Sequence, residues 1–431
     1  MECHLKYGHG EVAIRMPDAL SPRLQLIGLP DPSSDGPTLA ARDEAHIISD
    51  ALDHPVGSPP LEDIVKVGEQ VAIVTSDISR PMPTERVLPS VLQRLLSAGI
   101  KPEDITVIFG LGIHRGHTLE EQRSLLGECA DSGILFADSN PDNVMYLGHT
   151  AAGTPVNATR AVVAADRIVC MGNVEYHYFS GYSGGYKALL PGICDAETVA
   201  HNHRMMTDAA ARAGILEGNP VRRDIDSVGD ILPADFLINV VLDSSRKITF
   251  CATGHPIEAH RRAAKELDTR NRVVIERRGD LVVAGAGGHP KDMNLYQAQK
   301  ALEFALDFAR PGAPILLIAA CPEGYGNETM GRWLTDAHDP DHLLERLQEQ
   351  FELGGHKAAM IARAVKRNPV WIATQMGTDL AIGAFLVPIP TFGEHLTLPP
   401  EILDRVEGSG DSDGPIYVLP NAASLLASID E

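Results

Sequence analysis

The chain is predicted to be α/β, with two α/β domains on mainly parallel sheets and an active site in the interdomain cleft. Three observations predict it. Compact apolar runs of buried-strand type (Val71–Thr75, Ile105–Phe109, Arg167–Met171) alternate with amphipathic stretches at helical spacing. The alternation restarts after a basic, helical connector around His260–Arg278. Polar residues also fall directly behind the apolar runs, and open parallel sheets bind ligands outside the carboxyl ends of their strands.

The first 65 residues read as short strands and loops punctuated by Pro and Gly. Val71–Thr75 is the first buried strand. Glu85–Ala98 sets Val87, Leu88, Val91, Leu92, Leu95 and Leu96 on one stripe and stops at Gly99, which predicts a helix. After the strand Ile105–Phe109, Thr118 and Glu121 form a capping-box start for a helix through Leu125 and Leu126. The strand Arg167–Met171 leads through a long glycine-rich loop to a helix over Asp195–Ala211. Such alternation gives a mostly parallel sheet covered on both faces. The second unit repeats it: strand Asp280–Ala284, helix Asn294–Arg310, strand Pro314–Ala320, helix His342–Phe351 and a strand around Trp371–Ala373. The tail is predicted as a strand, Ile416–Leu419, and an amphipathic helix, Ala422–Ile429. These elements predict a first domain over residues 1–270 and a second over 271–410, with a helix at about 411–431 packing back on the first.

The 431 residues carry 37 Lys plus Arg against 58 Asp plus Glu, a formal net charge of −21. That excess argues against nucleic-acid binding, which needs a basic face. It leaves room for an anionic small substrate held by a few local cations. No apolar run approaches the roughly 18 residues that cross a bilayer, and Met1–Val12 has no signal-peptide core. The six cysteines are scattered without CxxC pairs, so a reducing compartment, the cytoplasm, is expected.

Chemistry collects behind the strands. Asp77 and Arg80 (TSDISRPMP) follow the first, His114 and Arg115 (GLGIHRGHT) the second, and His177 and Lys187 (VEYHYFSGYSGGYKALLPG) the third. Asp77 alone could be a helix cap and Arg80 a surface ion-pair partner. Their common position points to a site. His114 and His117 sit three apart, so one of them is expected to be structural. The glycines around Ser183 free backbone N–H groups for an anion, and Lys187 beside a cofactor could lose its proton and attach covalently. His201 and His203 face different sides of a helix, which suits one metal ligand and one structural residue. No Cys₂His₂ or HExxH spacing occurs, so zinc is disfavoured. HDPDH at His338–His342 reads as a turn and helix start. Tyr296, Gln297 and Lys300 open the helix after GAGGHPKDMN; Gln297 and Lys300 share a face that could hold a carboxylate.

SDISRPMP, GLGIHR, the His177–Gly192 block, AHNHRMM, EGNPVRRDI and GGHPKDMNLYQAQKAL together resemble the nickel-dependent lactate racemase family over nearly the whole chain. The resemblance implies a racemase or epimerase that inverts C2 of a 2-hydroxy carboxylate by reversible hydride transfer. It also implies a nickel-pincer nucleotide, the Ni(II) complex of pyridinium-3,5-bisthiocarboxylic acid mononucleotide. On that likeness Lys187 bonds the cofactor covalently, His203 ligates nickel, and Asp77, Ile78, Ser79 and Arg80 contact the cofactor. His114 and His177 become the acid/base pair, while Arg80, Tyr296, Gln297 and Lys300 bind substrate. The first domain would bind cofactor and catalyse, the second would bind substrate, and cofactor-biosynthesis enzymes would be partners. Trp371 could line the pocket, though its flanks match the family poorly. Malate, an aryl-lactate or a sugar acid are alternative substrates within the family. An NAD-dependent dehydrogenase is a weaker reading, because no GxGxxG stands between a strand and a helix. A non-catalytic binding protein is another, opposed by the two histidines.

Overall fold

Val71–Ser76 lies inside a six-stranded sheet because every side chain from Val71 to Thr75 is buried on one face or the other. The computed structural model describes residues 2–28, 43–243, 245–390, 395–407 and 413–429. The sheet belongs to the unit Pro30–Arg270. Its strand order is Ile248–Gly254, Phe236–Leu242, Arg167–Asn173, Val71–Ser76, Ile105–Gly110, Leu135–Asp138. All neighbours pair in parallel except the first two strands in that order, which are antiparallel. In register, Val71 faces both Ile105 and Arg167, so three adjacent strands end side by side.

The helix Thr84–Ser97 presses Val87, Leu88, Val91, Leu92 and Leu95 onto this sheet. Leu96, predicted on the same stripe, is 43 % exposed. The capping box at Thr118 and Glu121 forms as read. Among the helices that escaped the sequence reading, Glu44–Asp53, capped by Asp43, lies in the stretch read as strands and loops. It buries only Ile48 and Leu52 fully, too short an apolar stripe to announce itself.

The other unit joins Met1–Leu29 to Asn271–Glu431. This corrects the assignment of the first residues to a domain 1–270. Leu24–Leu26 pairs in parallel with Ile416–Leu419 at one edge of a second six-stranded sheet. Leu5, Val12, Ile14 and Met16 pack into the same core as Leu281, Val283, Leu316 and Ile318. That sheet is wholly parallel, in the order Val387–Pro390, Val370–Thr374, Ile315–Ile318, Leu281–Gly285, Ile416–Leu419, Leu24–Leu26.

The tail is also corrected. Ala422–Ser424 is a single 3-10 turn, and Leu426–Ile429 is a strand paired with Arg272–Ile275. A short apolar run fits either period, and strand pairing decides it here. The tail is therefore part of the second unit. Trp371 is 5 % exposed among the core side chains of this unit, with the Arg405 guanidinium 5.8 Å from its ring centre.

Candidate active site

The three adjacent strand ends of the first sheet open a cleft lined by Asp77, Arg80, His114, His177 and Lys187, all singled out from sequence. The cleft is open to solvent, with about 710 Å³ of space in and above it. The cleft lies wholly within the first unit, between Thr75 and Gly192.

The buried Asp77 carboxylate organises the first two loops. His114 Nδ1 donates to its Oδ2 at 2.6 Å, and the Ser79 hydroxyl lies 2.9 Å from both oxygens. Burial alone would raise the Asp77 pKa. The hydrogen bond and charge of His114, the Arg80 guanidinium and the Ser79 hydroxyl outweigh it and hold the carboxyl below its ordinary value. With Nδ1–H spent on Asp77, neutral His114 turns the lone pair of Nε2 outward. His117 is the structural partner of the pair. Its ring Nδ1 and backbone N–H both donate to Asp138, at 2.6 and 2.7 Å, and its Nε2 accepts the Ile78 N–H at 3.0 Å. Ile78 thus anchors the Asp77 loop by its backbone, while its side chain is 45 % exposed. Arg115 is clamped by both Glu121 oxygens, at 2.8 and 2.6 Å.

The third loop is a small hairpin, Tyr176–His177 against Gly181–Tyr182. His177 Nδ1 accepts the Ser180 N–H at 3.4 Å, which in the neutral ring leaves the proton on Nε2. Phe179 sits at the hub: its ring centre is 4.5 Å from that of His177, 4.8 Å from that of His203 and 5.9 Å from Lys187 Nζ. Lys187 donates to Ser180 Oγ at 3.0 Å. The loop amides are not the open anion nest read from the glycines. Ser183 N–H donates to Glu175 O and Gly185 N–H to Asn239 Oδ1. Gly184 must be glycine, since its φ is +75° and a Cβ would stand 2.7 Å from Asn239 Oδ1.

The helix Ala196–Arg204 separates its two histidines as the spacing requires. His201 Nδ1 pairs with Thr154 Oγ1 at 3.1 Å, and Thr154 donates on to the buried Asp224. His203 turns toward Phe179. Burial, reinforced by the nearby charges of Lys187 and Arg80, pushes its pKa down to about 3. It is therefore a neutral imidazole, the form that ligates a metal.

Gln297 and Lys300 share a helix face in the second unit, where Lys300 Nζ donates to Gln297 Oε1 at 2.9 Å. Tyr296 is flanked by the buried Lys357, whose Nζ lies 5.3 Å from its ring centre and donates to Gln299 Oε1 at 2.8 Å.

Sequence reasoning missed the residues behind the glycine loop. Fully buried Arg222 donates to the carbonyls of Ser180, Tyr182 and Gly184. His260 Nε2 donates to Ser183 O at 2.8 Å. Asn239, alone and polar in the apolar run FLINVVL, was the legible signal. Arg222 stood only within the motif EGNPVRRDI and His260 only in the basic connector, and each lies on a helix that reads as solvated.

Comparison with known proteins places the chain in one family. The lactate racemase N-terminal domain family matches residues 7–214 and the lactate racemase C-terminal domain family residues 274–397. The lactate racemase of Thermoanaerobacterium thermosaccharolyticum is 29 % identical over 98 % of this chain and 98 % of its own. That of Lactiplantibacillus plantarum is 30 % identical over 70 % of this chain and 72 % of its own. The lactate racemase apoprotein structure from T. thermosaccharolyticum superposes with a TM-score of 0.87 at 27 % identity, covering 99 % of this chain and 100 % of that one. A Thermotoga maritima protein shares the fold at a TM-score of 0.68 and 19 % identity, over 90 % and 98 % of the two chains.

Proposed function

Because the chain belongs to the lactate racemase family, a family of isomerases, we propose that it inverts C2 of a 2-hydroxy carboxylate, lactate or a close relative. The observation that carries the reading is the single cleft where Asp77-oriented His114, His177, Arg80 and Lys187 meet. Removing the C2 hydrogen as a proton would place a second negative charge beside the carboxylate. Removing it with its electron pair avoids that, provided a base takes the hydroxyl proton.

The residues fit a nickel-pincer nucleotide. Lys187 can hold it covalently, neutral His203 beside Lys187 can complete the nickel coordination, and the Asp77–Arg80 segment can contact it. When bound, such a group supplies a reversible sink for the C2 hydrogen and its electron pair, so that a 2-keto acid forms and is reduced again. His114 Nε2 is set to accept the hydroxyl proton, and His177 Nε2–H to donate one. Two histidines serve the two directions in which the hydroxyl points in opposite enantiomers. Arg80 provides a bidentate fork for the carboxylate. The clamp of Glu121 on Arg115 favours a substrate with one carboxylate, since the cation nearest His114 in sequence is already paired.

The test is co-expression with the cofactor-making enzymes, followed by intact mass, nickel content and chiral chromatography on single-enantiomer 2-hydroxy acids. A mass gain that vanishes in Lys187→Ala, together with racemisation, is expected. An unmodified protein that inverts none of the acids overturns the reading.

A further inference from the structure

Behind the strand Arg167–Asn173 the chain stays extended up to His177, and its side chains alternate. Val174 and Tyr176 are buried, at 2 and 6 % exposure, whereas Asn173, Glu175 and His177 line the cleft. This is the period of two that extended backbone imposes. Ser183 locks the arrangement: its hydroxyl donates to Asn173 O at 2.8 Å and accepts the Glu175 N–H at 2.9 Å. Asn173 is 6 % exposed and lines the cleft. The exposed Glu175 carboxylate pairs with no described side chain. An amide and a carboxylate two residues apart on extended backbone thus present polar groups to one side of the cleft.

We propose that Asn173 and Glu175 form a hydroxyl-binding subsite beside His177, one that takes a vicinal diol. A carboxylate accepts two O–H donors side by side, and the amide adds one donor and one acceptor. The negative charge of Glu175 also discriminates against a second carboxylate on the same ligand. Within the proposed racemase reading, on which this rests, the diol has two possible sources: the ribose of the nucleotide cofactor or the chain of a polyhydroxylated 2-hydroxy acid.

Two experimental arms separate them, using Glu175→Ala and Asn173→Ala. In the first, cofactor-free protein is titrated calorimetrically with nicotinic acid mononucleotide, a pyridine ribose phosphate. Binding weakened about tenfold in the variants, the loss expected for a hydrogen bond to a charged group, assigns the subsite to the ribose. In the second, the loaded enzyme turns over gluconate and lactate. A kcat/KM that falls about tenfold more for gluconate than for lactate assigns it to the substrate chain. Variants that change neither the mononucleotide affinity nor the gluconate-to-lactate ratio overturn the subsite. A wild-type protein that takes up no nickel overturns the racemase reading instead, and the calorimetric arm still judges the subsite.

Discussion

His114 Nδ1 lies 2.6 Å from the Oδ2 of Asp77, a carboxylate that is 4 % exposed. The bond joins the ends of two neighbouring parallel strands and fixes which imidazole nitrogen faces the cleft.

Asp77→Asn should therefore cost about a hundredfold in kcat, the lower range for a displaced acid/base group, with the fold retained. The stability effect should depend on pH. Because the folded pKa of Asp77 lies below its ordinary value, its contribution is full above the unfolded carboxylate pKa, about 3.9. It disappears as pH falls through the lower folded value. Thermal melts should show a constant gap between wild type and Asp77→Asn near neutrality, closing below about pH 4. A gap that widens on acidification would contradict the assignment.

The two histidines of GLGIHRGH should separate cleanly. His117, whose side chain is 1 % exposed, holds Asp138 and the Ile78 N–H. His117→Ala leaves both without that partner and should destabilise by about 1–3 kcal/mol in urea unfolding. His114→Gln, able to keep a hydrogen bond to Asp77, should lose at least about a hundredfold in turnover. Equal stability of His117→Ala and wild type would remove the structural role.

Nickel analysis distinguishes the pair on the helix Ala196–Arg204. His203→Ala should lose the metal, since its neutral ring stands with Phe179 near Lys187. His201→Ala should retain it, because that ring is bound to Thr154. The reverse pattern would exchange their roles.

Gly184→Ala tests the loop. At φ +75° with Asn239 Oδ1 2.7 Å from the added carbon, the variant should lose about 1–3 kcal/mol of stability. The mass gain at Lys187 should fall with it. Normal stability and full modification would show that the loop tolerates a side chain.

Much of the site was written in local order. Asp77, His114 and His177 each stand just behind an apolar run, so a parallel sheet had to bring them to one edge. The parting of His201 from His203 followed from helical geometry alone. Long-range partners were different. Nothing adjacent to Arg222 or His260 says that they hold the carbonyls of Ser180–Gly184, because those contacts join elements 38 or more residues apart. Leu24–Leu26 joined the far unit for the same reason: three residues of strand carry no signal of their partner Ile416–Leu419.

Residue type and spacing thus settled the α/β class, the sheet-edge position of the site and the family likeness, since strand and helix periods are local properties of the chain. Folding alone chose the tautomers of His114 and His117, the inward turn of Asn173 and the membership of the two chain ends. Each of these depends on a hydrogen bond or strand pairing with a distant segment, and only the assembled structure brings that segment near.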